Sequence, residues 1–182
     1  MSENYALPSI ENALILLADF SHHVGEGIPP SVGKALDAAV KLEDQTVYLF
    51  FEPAEREDDV LRWLEPWGDD VVTAALLPGS VAGHLRAVMR RIFSRNETRK
   101  AVAAFVGDQT PISESTLRAA FAGLDSANVV VSAAEPLLGL TAFHDWVFAP
   151  EVWEGGASTK VLGSKAAEAG LQFKELVRSK ES

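Results

Sequence analysis

The chain has 182 residues, 47% of them hydrophobic and 23% charged, the balance of a soluble globular domain, which excludes disorder and low complexity. It has no cysteine, which removes disulfides, thiolate metal sites and a cysteine nucleophile from consideration. Sixteen Lys and Arg against 26 Asp and Glu leave a net charge of -10, which repels polyanions and argues against a general nucleic-acid or membrane-surface binder.

The continuous apolar run from Asn12 to Ala18 predicts a strand buried on both faces. A stretch rich in Gly and Pro follows, and Ser31 is placed as the N-cap of a helix carrying Val32, Leu36, Ala39 and Val40. Gln45 to Phe51 is rich in β-formers and predicts the second strand. Val60, Leu64 and Trp67 recur at helical intervals in an acidic segment, and Asp70 to Leu77 reads as strand three. Leu85, Val88, Met89 and Ile92 give a helix starting just after Gly79 and Ser80.

Ala101 to Val106 is a further apolar strand, and Ser113 is the expected N-cap of a helix with the stripe Leu117, Ala120, Phe121 and Leu124. Asn128 to Ala133 is a β-branched run, expected with Ala101 to Val106 in the sheet interior. Leu137 to Phe148 holds a further strand with bends. Thr159 to Ala169 reads as a helix with Gly170 at its C′ position, and Leu171 to Val177 as an edge strand. Strands alternating with helices predict a single α/β domain over 1–182, three layers α/β/α around a mostly parallel sheet. In such folds ligands bind at the carboxyl ends of the strands.

Several constellations could carry chemistry there. The loop from Gly25 to Lys34 resembles a P-loop, but five residues separate Gly27 from Gly33 and Ala35 stands where a Ser or Thr would hold Mg²⁺. A flexible connection shaped by Gly and Pro is the simpler account. His22 and His23 are adjacent, so in extended chain they point opposite ways, and surface histidines are expected rather than a metal site. Asp108 follows a buried strand and is either a ligand of Mg²⁺ or Mn²⁺ or a turn residue ahead of Pro111. Six of the sixteen basic residues fall within fifteen positions, from Arg86 to Lys100. Arg86 and Arg90, one turn apart, form a solvated helix face, a phosphate-binding face, or a partner for the acidic segment Glu55 to Glu65. No Gly-x-Ser-x-Gly elbow supports a hydrolase.

Three blocks in the second half carry a family resemblance: Val106-Gly-Asp-Gln-Thr-Pro111, Asn128-Val-Val-Val-Ser-Ala-Ala-Glu135 and Trp153-Glu-Gly-Gly-Ala-Ser-Thr-Lys-Val-Leu162. In order and spacing they resemble the radical-SAM/selenodomain-associated transferases, GT-A-like domains related to nucleotide-diphospho-sugar transferases. The resemblance implies a GT-A fold and a nucleotide or nucleotide-sugar ligand. It also implies metal-assisted transfer with Mg²⁺ or Mn²⁺, in which the cation neutralises a leaving diphosphate.

By the same resemblance, Asp108 would be the metal ligand, and Gln109, Thr110, Glu135, Ser158 and Thr159 would be substrate contacts. The member is divergent. The family's metal-binding Asp meets Gln109, its Asp-Gly-Gly meets Pro136-Leu137-Leu138, and its basic loop after the first strand keeps only Lys34. An amide cannot replace a carboxylate as the anionic ligand of Mg²⁺. A degenerate binding or assembly module is therefore the alternative to an active transferase. No apolar run reaches membrane-spanning length and no basic n-region opens the chain, so a bacterial cytoplasmic protein is expected.

Overall fold

The computed structural model describes residues 12–43, 45–94, 98–106, 112–132, 137–153 and 159–176. The first apolar run forms β1 (Asn12–Asp19), whose residues Ala13 to Ile15 are fully buried. Parallel β2 (Thr46–Glu52) lies on one side of it and β3 (Val71–Ala75) lies beyond β2. β4 (Lys100–Val106) returns to the other side of β1, again parallel. The remaining strands are β5 (Val129–Ser132), β6 (Leu137–Leu140) and β7 (Phe173–Leu176). The sheet order is β3-β2-β1-β4-β6-β5-β7. Strand β6 alone runs antiparallel, to both β4 and β5. The mostly parallel sheet with Ala101–Val106 and Val129–Ser132 in its interior matches the sequence expectation, and β7 is the expected edge.

Helices cover both faces. On one face α1 (Pro30–Lys41), α2 (Glu57–Trp63) and α4 (Glu114–Gly123) pack on Leu14, Leu16, Leu49, Phe51, Val102 and Val130. On the other α3 (Val81–Phe93), α5 (Pro150–Trp153) and α6 (Thr159–Glu168) pack on Ile15, Phe50, Ala103, Val129 and Val131. Alternate strand residues point to opposite faces, so a run apolar at every position needs this double cover. Each buried Leu, Ile or Val contributes about 1.5–3 kcal/mol, which makes the sheet centre the rigid base of the molecule.

Four boundaries differ from the sequence expectation. Helix α1 starts at Pro30 with Pro29 as N-cap, because a proline costs nothing at a first turn whose N–H groups lack helical partners. Ser31 therefore lies inside the helix, and its Oγ is buried without a hydrogen-bond partner. Helix α2 ends at Trp63, and a 3-10 segment, Glu65–Asp70, broken at Gly68 with φ 54°, carries the chain into a strand that is only Val71–Ala75. The Leu137 to Phe148 region splits into β6 and a 3-10 turn at Asp145–Phe148. The caps at Ser113 and Gly170 agree: Ser113 Oγ accepts from the Thr116 N–H at 3.2 Å, and Gly170 has φ 73°.

Candidate functional site at the carboxyl ends of the strands

From β1 the chain adds β2 and then β3 on one side, then crosses back to place β4 on the other side of β1. The strands that follow β1 and β4 therefore lie on opposite sides of this pair, which makes their carboxyl ends a topological switch point, the place where open α/β sheets bind ligands. Ala18 is the register partner of Val106 and Asp19 of Glu52, so these residues mark the carboxyl ends of the strands at the switch point.

The loop after β1 is held in a defined shape. The Asp19 carboxylate accepts from the Ser21 backbone N–H at 2.9 Å and from the Ser21 hydroxyl. Arg56, between β2 and α2, donates from Nη1 to the carbonyls of His23 at 2.8 Å and Phe20 at 3.3 Å. Its Nε donates to Asp59 Oδ2 at 3.2 Å, and its guanidinium lies over the Trp63 ring at 5.1 Å. The His23 ring meets Trp63 edge-on at 5.4 Å and lies 2.7 Å through Nε2 from the Gly27 carbonyl. A carbonyl only accepts, so that nitrogen carries the proton. His22 is exposed, whereas His23 is half-buried and is a loop-bracing residue rather than a surface histidine. The Gly- and Pro-rich run is thus tied at Gly27 to His23, and the residues before it, Phe20 and His23, to Arg56.

The turn after β3 supports the other side of this rim. Ser80 Oγ caps α3 by accepting from the Gly83 N–H at 3.1 Å. His84 Nε2 donates to the Leu77 carbonyl at 2.7 Å. The same Nε2 lies 3.9 Å from Glu52 Oε2, joining the end of β2 to the first turn of α3. A cavity of about 340 Å³ opens beside this turn.

Of the substrate and metal residues expected from sequence, Asp108, Gln109, Thr110, Glu135 and Ser158 lie outside the described residues. Thr159 is the half-buried first residue of α6. Lys34 is exposed on α1. Leu137 and Leu138, which meet the family's Asp-Gly-Gly, are core residues of β6, 2% and 0% exposed. Arg86 does not pair with the segment Glu55 to Glu65: its Nε donates to Asp145 Oδ1 at 2.6 Å, because the 3-10 turn packs beside α3. Among the described residues no three His, Asp or Glu side chains converge as a metal site.

Sequence reasoning missed Arg56, Trp63, Glu52 and His84. Arg56 sits among Glu55, Glu57, Asp58 and Asp59, where a lone cation reads as part of a solvated face. The one available signal was its place immediately after the second strand, at the level of the rim.

No family model and no curated protein matches the chain. Solved structures do. A protein assigned to the nucleotide-diphospho-sugar transferases of Desulfovibrio desulfuricans G20 superposes with a TM-score of 0.74 at 15% identity, over 91% of this chain and 79% of that one. The 4-diphosphocytidyl-2C-methyl-D-erythritol synthase of Anaerococcus prevotii gives a TM-score of 0.65 at 10% identity, over 92% and 87%. The mannosyltransferase PcManGT of Pyrobaculum calidifontis, solved with GDP-mannose and Mn²⁺, gives 0.55 at 15% identity, over 92% of this chain and 55% of that one. The fold is of the GT-A, nucleotide-diphospho-sugar transferase type.

Proposed function

We propose that this chain, as one domain over 1–182, binds a nucleotide or nucleotide-sugar in the crevice above β1 and β4, with transfer activity weak or lost. The observation that carries the reading is the topological switch between those strands, with the loop after β1 held by Arg56. The likeness to the radical-SAM/selenodomain-associated transferases supports the finer assignment. Asp108 is the residue that would hold Mg²⁺ or Mn²⁺, and the ion would supply neutralisation of a leaving diphosphate. Gln109, Thr110, Glu135, Ser158 and Thr159 would contact the substrate. In this reading the protein is bacterial and works in the cytoplasm.

One observation favours loss of catalysis, and with it a binding or assembly module. Leu137 and Leu138 fill the core where the family has an acidic Gly-rich loop. Without that carboxylate a diphosphate stays under-neutralised, and one missing electrostatic partner costs a site about 3 kcal/mol or more of transition-state stabilisation. The test is calorimetric titration with UDP, GDP and CDP, with and without Mn²⁺, beside turnover of their sugar conjugates by wild type and Gln109→Asp. Binding with little or no wild-type turnover is expected. Robust turnover abolished by Asp108→Ala would overturn the degenerate reading, and no binding of any nucleotide would overturn the assignment.

A further inference from the structure

The cavity beside the β3–α3 turn runs from that turn along α3 as far as Arg91. One wall is a stripe of α3 at Gly83, Ala87 and Arg91, positions four apart that line one side of a helix for two turns. The other wall is Phe50 of β2 with Leu76 and Leu77 just beyond β3. Strand β2 stands between this edge of the sheet and β1. Gly83 and Ala87 lie on the exposed side of α3 and carry almost no side chain, which leaves the space beside Phe50, Leu76 and Leu77 open.

The chemistry of the walls is specific. The body is apolar, from Phe50, Leu76, Ala87 and Val88. Leu77 is 83% exposed at the mouth, an apolar side chain left in water beside an open cavity. The polar groups are the Arg91 guanidinium and the His84 ring, and no carboxylate lines the space. Arg86 on the same helix has Asp145 as its counter-ion, but Arg91 pairs with no carboxylate among the described residues. His84 is fixed in place by its bond to the Leu77 carbonyl. On a chain of net charge -10, a cavity lined by Arg91 without an ion pair among the described residues, its nearest acid being Glu52 behind His84, is complementary to an anion at the Arg91 end.

We infer that this cavity is a binding site for a small organic acid with an apolar body and a carboxylate head. The body would occupy the space over Phe50 and Ala87, and the carboxylate would pair with Arg91. A single guanidinium matches the two oxygens of one carboxylate, and about 340 Å³ lies within the range of small-ligand pockets, roughly 300–1,000 Å³.

The test uses 2-naphthoate as the probe and uncharged 2-naphthol as its comparator, titrated by calorimetry and followed by ligand-observed NMR. Wild type should bind 2-naphthoate saturably with one site per chain. Arg91→Gln should weaken 2-naphthoate about tenfold, the scale of a charged hydrogen bond, and leave 2-naphthol unchanged. Ala87→Trp should abolish binding of both by filling the cavity. Ala87 and Arg91 are exposed, so both variants should melt with the wild type. No saturable binding by wild type, or full binding by Ala87→Trp, would overturn the proposal. Displacement of 2-naphthoate by GDP or UDP would merge the cavity with the nucleotide crevice and also overturn it. Failure of nucleotides to bind, with 2-naphthoate still bound, would sink the nucleotide reading and leave this one standing.

Discussion

The two turns that rise from the same end of the sheet, after β1 and after β3, solve opposite problems. The loop after β1 is long and rich in Gly and Pro, yet its interior is filled by His23, Trp63 and the Arg56 guanidinium. The turn after β3 is short, a single histidine reaches back into it, and a cavity remains beside it. Loop order therefore follows from what a neighbouring element inserts, not from the composition of the loop itself. In the first loop a cation bonded to two main-chain carbonyls does what a hydrophobic plug does elsewhere, and does it with fixed geometry.

The largest expected effect comes from breaking the first of these. Arg56→Ala strips a charged donor from the Phe20 and His23 carbonyls and the cation from the Trp63 face, and should cost about 2–3 kcal/mol in urea unfolding. Hydrogen exchange should quicken across residues 21–28 while 77–83 stays as it was. Unchanged protection in the first loop would erase the contrast. His84→Ala should cost less, about 1 kcal/mol, because its acceptor sits on an exposed turn, and the faster exchange should be confined to residues 77–83.

Arg86→Ala removes an ion pair whose partners are 45% and 70% exposed, so a shift of about 0.5 kcal/mol or less is expected in the same measurement. A loss of several times that would mean the pair with Asp145 anchors the turn before α5. The smallest effect concerns Glu151, whose carboxyl is held below the usual glutamate range by its own backbone N–H and then by Lys165. A depressed carboxyl stabilises the folded state above its unfolded value and loses that contribution as pH falls through the folded one. Wild type should thus lose a small increment relative to Glu151→Gln only below about pH 4.5. A difference between the two curves that grows toward neutral pH would reverse the assignment.

Much of the scaffold is legible in residue order. Runs such as Ala13 to Leu17 and Val129 to Val131 are apolar at every position, which only a doubly covered strand tolerates. The reversed direction of β6 is not legible, because Leu137 to Leu140 carries no mark of polarity and its partners are chosen by tertiary packing. The start of α1 differs for a local reason: Ser31 is a good cap by type, but the prolines ahead of it fix the backbone two residues earlier. Asp108 and Glu135, both of which lie outside the described residues, are visible as residue types. The bracing by Arg56 is not, since its partners are carbonyls 33 and 36 positions away and main-chain acceptors leave no trace in a sequence.

The placement of β6 has a consequence for how the chain must be made. Strands β1 to β4 are complete by Val106, but the free side of β4 acquires its hydrogen-bonded neighbour only when Leu137 to Leu140 arrive, after β5 has already been synthesised. Until then a nascent chain holds a fully apolar strand, Ala101 to Ala104, with one row of N–H and C=O groups open to any extended segment nearby. Emergence from the ribosome thus passes through a stage in which this edge invites pairing between neighbouring chains. Arrest or cleavage between β5 and β6 would fix that stage, turning a domain whose outer strands are short into an aggregation template.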